Sequence, residues 1–358
     1  MIPKKRVIRV LLTGSGAPGW LPIYKCLKNN NGRTIEVYGC DISRQTAGSY
    51  YAIKHFQVKK GDDPNFIPYL LKIVRKEKID IILPITDPEL LPLAKNIKLF
   101  EKNNVKVAVS SYLSLKRAID KADLFKFLKD NDLSFPKYRK VKGWRDFLIA
   151  LDFLNYPKEP VCFKPVNSYG SRGFRILDEN RNSYALLLKG KPQSLYISFK
   201  ELENVLKERT PFPELLIMEY LPGKEYTVDI FIDKGKVKYV IPRLRLKMKQ
   251  GITVEGLVEK NKEVISLSEK VISKLRMNYC VGVQLRYDKE GFPKILEINP
   301  RLQGTTVISY GAGVNLPYFT VKSCLGEKIP RVEINFGVHM YRHWQEVFFK
   351  GNDKLNAT

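Results

Sequence analysis

Three side chains late in the chain have types and spacing suited to holding a hard divalent cation. The run Val283–Arg301 ends in Glu297-Ile-Asn299-Pro-Arg301. Two alternating segments flank Glu290-Gly291, a pair that reads as a tight hairpin turn. With those two residues as the loop, Gln284 stands opposite Glu297, and Asn299, two positions on, shares their face. Such oxygen donors are the ones Mg²⁺ accepts. Arg301 follows on the same side, with a forked donor for anionic oxygens. A Glu–Asn pair can also simply cap a sheet edge, so the upstream segments must decide.

Val161-Cys-Phe-Lys164-Pro165 is a strand-like apolar run with one lysine, followed by Asn167-Ser-Tyr-Gly170-Ser171-Arg172-Gly173. A lone strand lysine is commonly a solvated edge residue. Here, Gly170 and Gly173 free backbone N–H groups to turn toward phosphate oxygens, and Arg172 adds charge. Lys121 sits in the first turn of a helix that Asp120 caps, where a cation is unfavourable unless an anion lies near. Pro242-Arg243-Leu-Arg245 puts two arginines on one strand face, a candidate clamp for a carboxylate or for a solvated edge of a basic protein.

Taken together, Gln284, Glu297-Ile-Asn299-Pro-Arg301 and the lysine strand with its glycine loop resemble the ATP-grasp superfamily, most of all a single synthetase unit of the carbamoyl phosphate synthase large chain. The resemblance spans roughly Val7 to Lys328. It implies that Gln284, Glu297 and Asn299 hold magnesium, one ion or two with Mn²⁺ as a substitute, and that Arg301 steadies the transferred phosphoryl group. It implies that Lys164 and Lys121 contact ATP and that Gly170, Ser171, Arg172 and Gly173 close over the triphosphate, although this loop is poorer in glycine than its counterpart. In Leu215-Leu-Ile-Met-Glu219-Tyr-Leu221-Pro-Gly-Lys-Glu225, the backbone at Glu219 and Leu221 would meet adenine, and Glu225 would meet the ribose. The activity implied is ADP-forming ligation. A small-molecule carboxylate becomes an acyl phosphate, which an amine or similar nucleophile captures, with Lys164, Arg172, Arg301, Arg243 and Arg245 neutralising charge. One synthetase-like unit without a glutamine-hydrolysing counterpart speaks against carbamoyl phosphate synthesis itself.

The elements that must position these groups fall into two styles. Strand Val7–Leu12, turn Thr13-Gly14-Ser-Gly16-Ala-Pro-Gly19 and a helical stretch from Leu21 open a doubly wound α/β domain with a parallel sheet, expected over residues 1–115. Its strand ends carry Gly14, Gly16, Asp87 and Glu89, where ligands of such sheets bind and where the resemblance places the non-nucleotide substrate. From 116 to 330 the pattern turns α+β with antiparallel sheets, expected as an ATP-grasp fold of two α+β subdomains, 116–220 and 221–330, before an extension at 331–358. A rival reading takes Gly14-x-Gly16-x-x-Gly19 as a dinucleotide fingerprint with Asp41 as its ribose acid, making a nicotinamide-dependent oxidoreductase. It leaves Gln284–Arg301 and Lys164 unexplained, and Pro18 interrupts the opening helix. A non-catalytic nucleotide-binding protein is the third reading, against which the intact oxygen triad argues.

Composition sets outer bounds. Among 358 residues, Lys and Arg outnumber Asp and Glu 62 to 37, yet the basic residues are dispersed, so a nucleic-acid partner is not expected. No run is apolar enough to span a bilayer, so neither is a membrane partner. Five scattered cysteines without a Cys-x-x-Cys pair fit a reducing cytoplasm. Homo-oligomerisation is compatible with these features. His339 and His343 have helical zinc spacing, but no acid or cysteine completes a set.

Overall fold

A five-stranded parallel sheet forms first, in the order β3-β2-β1-β4-β5. Its strands are β1 (Ile8–Thr13), β2 (Ile35–Asp41), β3 (His55–Gln57), β4 (Ile81–Leu83) and β5 (Lys106–Val107). The computed structural model describes residues 6–166, 173–181 and 195–355. Both faces of this sheet are apolar, as crossover connections demand. Ile8, Val10 and Leu12 enter one core with Trp20, Ile23 and Leu27 of the helix Trp20–Lys28, while Leu11 enters a second with Leu70, Val74 and Leu90 of the helices Phe66–Glu77 and Asp87–Lys95.

A four-stranded antiparallel sheet follows, ordered β6-β9-β7-β8 from β6 (Tyr138–Val141), β7 (Val161–Pro165), β8 (Arg175–Leu177) and β9 (Leu215–Glu219). Val161, Phe163, Leu215 and Ile217 pack with Phe147 and Leu151 of the helix Trp144–Phe153. Alternation therefore turns Cys162 and Lys164 to the other face.

The third sheet has six strands, ordered β14-β13-β10-β11-β12-β15. They are β10 (Glu225–Asp233), β11 (Lys236–Lys249), β12 (Ile252–Val258), β13 (Tyr279–Tyr287), β14 (Pro293–Asn299) and β15 (His339–Tyr341); a small hairpin, β16 (Phe348–Lys350) and β17 (Asp353–Leu355), ends the described chain. The α/β and α+β architecture expected from the sequence is present.

Two compact units result: Met1–Ile119 with Glu225–Leu285 and Glu297–Thr358, and Asp120–Lys224 with Arg286–Leu296. Thus residues 1–115, expected as a domain, cluster with later segments, and the extension from 331 belongs to the same unit.

The β13–β14 hairpin differs from expectation at its turn. Asp288 N–H donates to Phe292 O at 2.9 Å and Gly291 N–H to Asp288 O at 3.3 Å, so Lys289, Glu290 and Gly291 form a three-residue turn, with Gly291 at φ 85°. A three-residue loop ending in a left-handed glycine is the next most common hairpin after the two-residue turn. The direct opposition of Gln284 and Glu297 consequently does not follow from the turn. Buried Ile295 and Ile298 also stand at odd spacing, which an unbroken pleat does not give.

Candidate functional site

In the first unit, the adjacent strands β11, β10, β13 and β14 carry Arg245, Glu225, Gln284 and Glu297. Glu225 lies next to Tyr226, which pairs with Leu244, so Glu225 comes level with Arg245 and the two form an ion pair. Arg245 also donates to Thr253 Oγ1 at 3.0 Å, to Gly251 O at 2.6 Å and, at 3.5 Å, to Gln284 Oε1. Arg245 thus braces Glu225 and Gln284 from within the sheet rather than standing as a free clamp. Asn299 Nδ2 donates to Glu297 Oε1 at 3.1 Å. The Asn299 side-chain oxygen accepts no hydrogen bond from another described residue, so its acceptor capacity is left over.

Arg301 makes a parallel fork with Asp87: Nε to Oδ1 at 2.7 Å and Nη2 to Oδ2 at 2.9 Å, while Nη1 donates to Leu302 O at 3.3 Å. Burial alone would weaken the proton's hold on Arg301, but Asp87, followed by Glu297 and Glu89, reverses this and raises its pKa. Asp87, expected at the substrate, therefore orients Arg301. Glu89 is likewise committed: it is 4% exposed and accepts from Thr13 Oγ1 at 2.6 Å, Thr86 N at 2.8 Å and Ile85 N at 3.0 Å. It completes a capping box with Thr86 at the start of the helix Asp87–Lys95.

Arg243 departs furthest from its expected role. Only 3% exposed, it donates from Nη2 to Asp229 Oδ1 at 2.7 Å and from Nη1 to Thr305. Asp229 also takes Ser309 Oγ at 2.7 Å and Thr306 Oγ1 at 3.4 Å. Burial lowers the Arg243 pKa despite the partner. Sequence reasoning missed Asp229, although one acid inside the apolar run Val228–Ile232 is itself a signal of a buried partner.

The glycine-rich turn is closed by its own chain. Gly16 N–H donates to Asp41 Oδ2 at 2.8 Å and Ser43 N–H to Asp41 Oδ1 at 3.0 Å, so the acid that the dinucleotide reading assigns to a ribose is occupied. Gly14 adopts φ +61°, and a Cβ there would fall 2.4 Å from Thr86 Cγ2.

In the second unit, Lys164 pairs in register with Leu216 and shares its face with Cys162. Gly173, at φ +72°, lies over the end of β7: a Cβ would come 2.7 Å from Pro165 Cδ. Gly170, Ser171 and Arg172 lie outside the described residues. Lys121 opens the helix Lys121–Asp130, is 8% exposed, and follows Asp120, whose carboxylate accepts from Ala122 N at 2.8 Å and Asp123 N at 2.9 Å. At the end of β9, Glu219 N–H is used on Lys137 O at 3.1 Å and its carboxylate on Lys137 N at 2.9 Å. Leu221, 4% exposed, has no backbone hydrogen bond to another described residue, the state expected of a segment that recognises a ligand through its main chain. Arg286 backs this segment, donating to Gly223 O at 3.2 Å and lying 5.2 Å over the Tyr220 ring.

With this geometry in place, comparison with known proteins is informative. Residues 211–345 match the family described as "ATP-grasp in the biosynthetic pathway with Ter operon", and residues 10–108 match "PylC-like, N-terminal domain". The later part of the chain thus resembles ATP-grasp proteins. The chain is 24% identical over 255 residues to the carbamoyl phosphate synthase large chain of Thermoanaerobacter sp. (strain X514), covering 66% of this chain and 21% of the relative. It is 27% identical over 227 residues to phosphoribosylamine–glycine ligase of Methanobrevibacter smithii, covering 63% and 46%. The chain thus spans about a fifth to a half of the length of these relatives. Among solved structures, the ADP complex of an N5-carboxyaminoimidazole ribonucleotide synthetase superposes with a TM-score of 0.69 at 15% identity, over 95% of this chain and 82% of that one. Biotin carboxylase from Campylobacter jejuni gives 0.67 at 16%, over 93% and 74%. Among the described residues no helix is long and apolar enough to cross a membrane. All five cysteines are buried and unpaired. His339 lies on strand β15, with its ring stacked on Tyr341 at 6.3 Å, so the helical premise for a zinc pair with His343 fails.

Proposed function

We propose that the protein is an ADP-forming ligase that activates a small-molecule carboxylate as an acyl phosphate for capture by an amine or similar nucleophile. The observation that carries this reading is the oxygen set at the end of β14: Asn299 spends its nitrogen on Glu297 and has its oxygen left over, beside an Arg301 that Asp87 holds in a fixed fork. Gln284, Glu297 and Asn299 suit Mg²⁺ by donor type, and they are the residues that would hold it. Bound there, the ion would offset charge on the phosphate oxygens, the main requirement of phosphoryl transfer.

The chain's own groups would do the rest by charge and hydrogen bonding. Lys121 and Lys164 meet phosphate oxygens, the free backbone of Leu221 meets the adenine edge, and Glu225, steadied by Arg245, meets the ribose. Arg301 faces the transferred phosphoryl group. Relatives and fold neighbours named as ligases or synthetases, one of them solved with ADP, support the reading. The test is a thermal shift with millimolar Mg-ATP against NAD, followed by ADP release across amino acids, peptides and sugar acids, each with and without an amine. A melting temperature that ignores Mg-ATP but rises with NAD would favour the oxidoreductase reading instead.

A further inference from the structure

The stretch Gln303–Thr306, just past Arg301, gathers polar groups that the ligase reading leaves unused. A Cβ built on Gly282 of β13 would fall 1.0 Å from Gln303 Nε2, so this amide lies directly on the strand. That nitrogen is buried with no hydrogen-bond partner, and so is Nε of Arg243, whose terminal nitrogens are committed to Asp229 and Thr305. Buried donors without acceptors are rare in native proteins. Arg342 reaches the same stretch from the chain's other end, donating from Nη2 to Gly304 O at 2.5 Å and from Nη1 to Pro18 O at 3.5 Å.

Arg342 is partly buried and has no carboxylate partner among the described residues. Asp229, the acid bonded to Arg243, is already divided among Arg243, Thr306 and Ser309. Two guanidiniums thus stand against one carboxylate. Burial, and then the charge of Arg243, lowers the proton affinity of Arg342. The backbone adds to the same sign. The helix Trp20–Lys28 starts from Gly19 with no side-chain cap and no acid in its first turn, and a Cβ on Gly19 would lie 2.6 Å from Gly304 Cα.

We propose that Arg342, with Gln303 Nε2, forms an oxyanion subsite that takes a carboxylate or phosphate group carried by the substrate away from its reacting atom. Assigning this anion to the substrate rests on the ligase reading; the subsite itself does not. Arg342 is the recognition group, because its fork matches either oxyanion and its partial exposure gives access.

The test compares the full chain with Arg342→Met and Arg342→Lys, titrated with sodium phosphate and with sodium acetate at constant chloride-balanced ionic strength and followed by thermal shift and calorimetry. The wild type should be stabilised saturably by at least one anion. Half-saturation should rise about ten-fold or more in Arg342→Met and by less in Arg342→Lys, which keeps the charge but not the fork. A response to acetate alone assigns a carboxylate, and one to phosphate alone assigns a phosphate ester. Equal half-saturation in wild type and Arg342→Met, or stabilisation of the wild type no greater than chloride gives, overturns the proposal. Should Arg342→Met show no cooperative melt, Arg342→Lys decides, and wild-type half-saturation there overturns it. Mg-ATP should shift every folded form alike; its failure on the wild type sinks the ligase reading and leaves the anion result standing.

Discussion

Two arginine–aspartate pairs in one unit, Arg243–Asp229 and Arg301–Asp87, have the same shortest separation, 2.7 Å, and opposite characters. The first has side chains 3% and 4% exposed and is ringed by hydroxyls of Thr305, Thr306 and Ser309. The second has side chains 19% and 16% exposed and adjoins the Glu297–Asn299 oxygen pair. Burial wins at Arg243 and lowers its pKa; carboxylates win at Arg301 and raise it. An ion pair's distance therefore says little about its job. What surrounds it decides whether it holds the fold or presents a charge to a ligand.

The largest effect that would sharpen this contrast is on the exposed side. Glu297→Gln keeps the shape of the ligand set but removes its formal charge, so ADP formation should fall roughly a thousand-fold, about 4 kcal/mol, with an unchanged melting curve. Retained turnover with the true substrate would break the metal assignment. On the closed side, Asp229→Asn strands a buried guanidinium, and the protein should lose about 3 kcal/mol of stability, read by thermal or urea unfolding. A melt like the wild type's would erase the distinction between the pairs. Asp87→Asn loosens the fork on Arg301, which keeps more solvent access than Arg243; the rate should drop about 30-fold, near 2 kcal/mol, with a smaller loss of stability than Asp229→Asn gives.

The smallest effect concerns Glu89, next to the exposed pair. Burial raises its pKa above the ordinary carboxyl value of 4.5, against the opposing hydrogen bonds from Thr13, Thr86 and Ile85. The folded state then binds this proton more tightly than the unfolded chain, so stability is greatest below the ordinary value and falls as pH rises from there through the folded pKa. Glu89→Gln keeps an acceptor at the cap and should flatten that slope, by at most about 1 kcal/mol, in melting temperatures measured from acid to neutral pH. An undiminished slope would assign it to other groups.

Much of this arrangement was legible in the sequence because it is local. The strand, glycine turn and helix of Ile8–Lys28 announce a parallel sheet, and Asp120 caps the helix it was expected to cap. The hairpin's existence was clear, but not its turn, because Asp-Lys-Glu-Gly suits both two- and three-residue loops. β11 runs on to Lys249 through Pro242, which sits opposite Val228 in the ladder, although proline normally ends a sequence-based strand assignment. The partnerships that settle each arginine's role join distant residues: Asp87 with Arg301, Pro18 with Arg342. No periodicity or spacing rule connects positions so far apart; packing alone does.

The discontinuity of the first unit has a consequence for how the chain is made. The sheet strands β1–β5 are complete once Val107 has emerged, and Val10, Leu12 and Ile81 then seek cover. Trp20, Ile23 and Leu27 supply part of it, but Phe231, Ile308, Val314 and Phe319 belong to the same core and come much later. At about 5–20 residues per second, the nascent sheet waits roughly 10–40 s with one face incompletely covered. The earliest translated strands are therefore among the last to be fully buried.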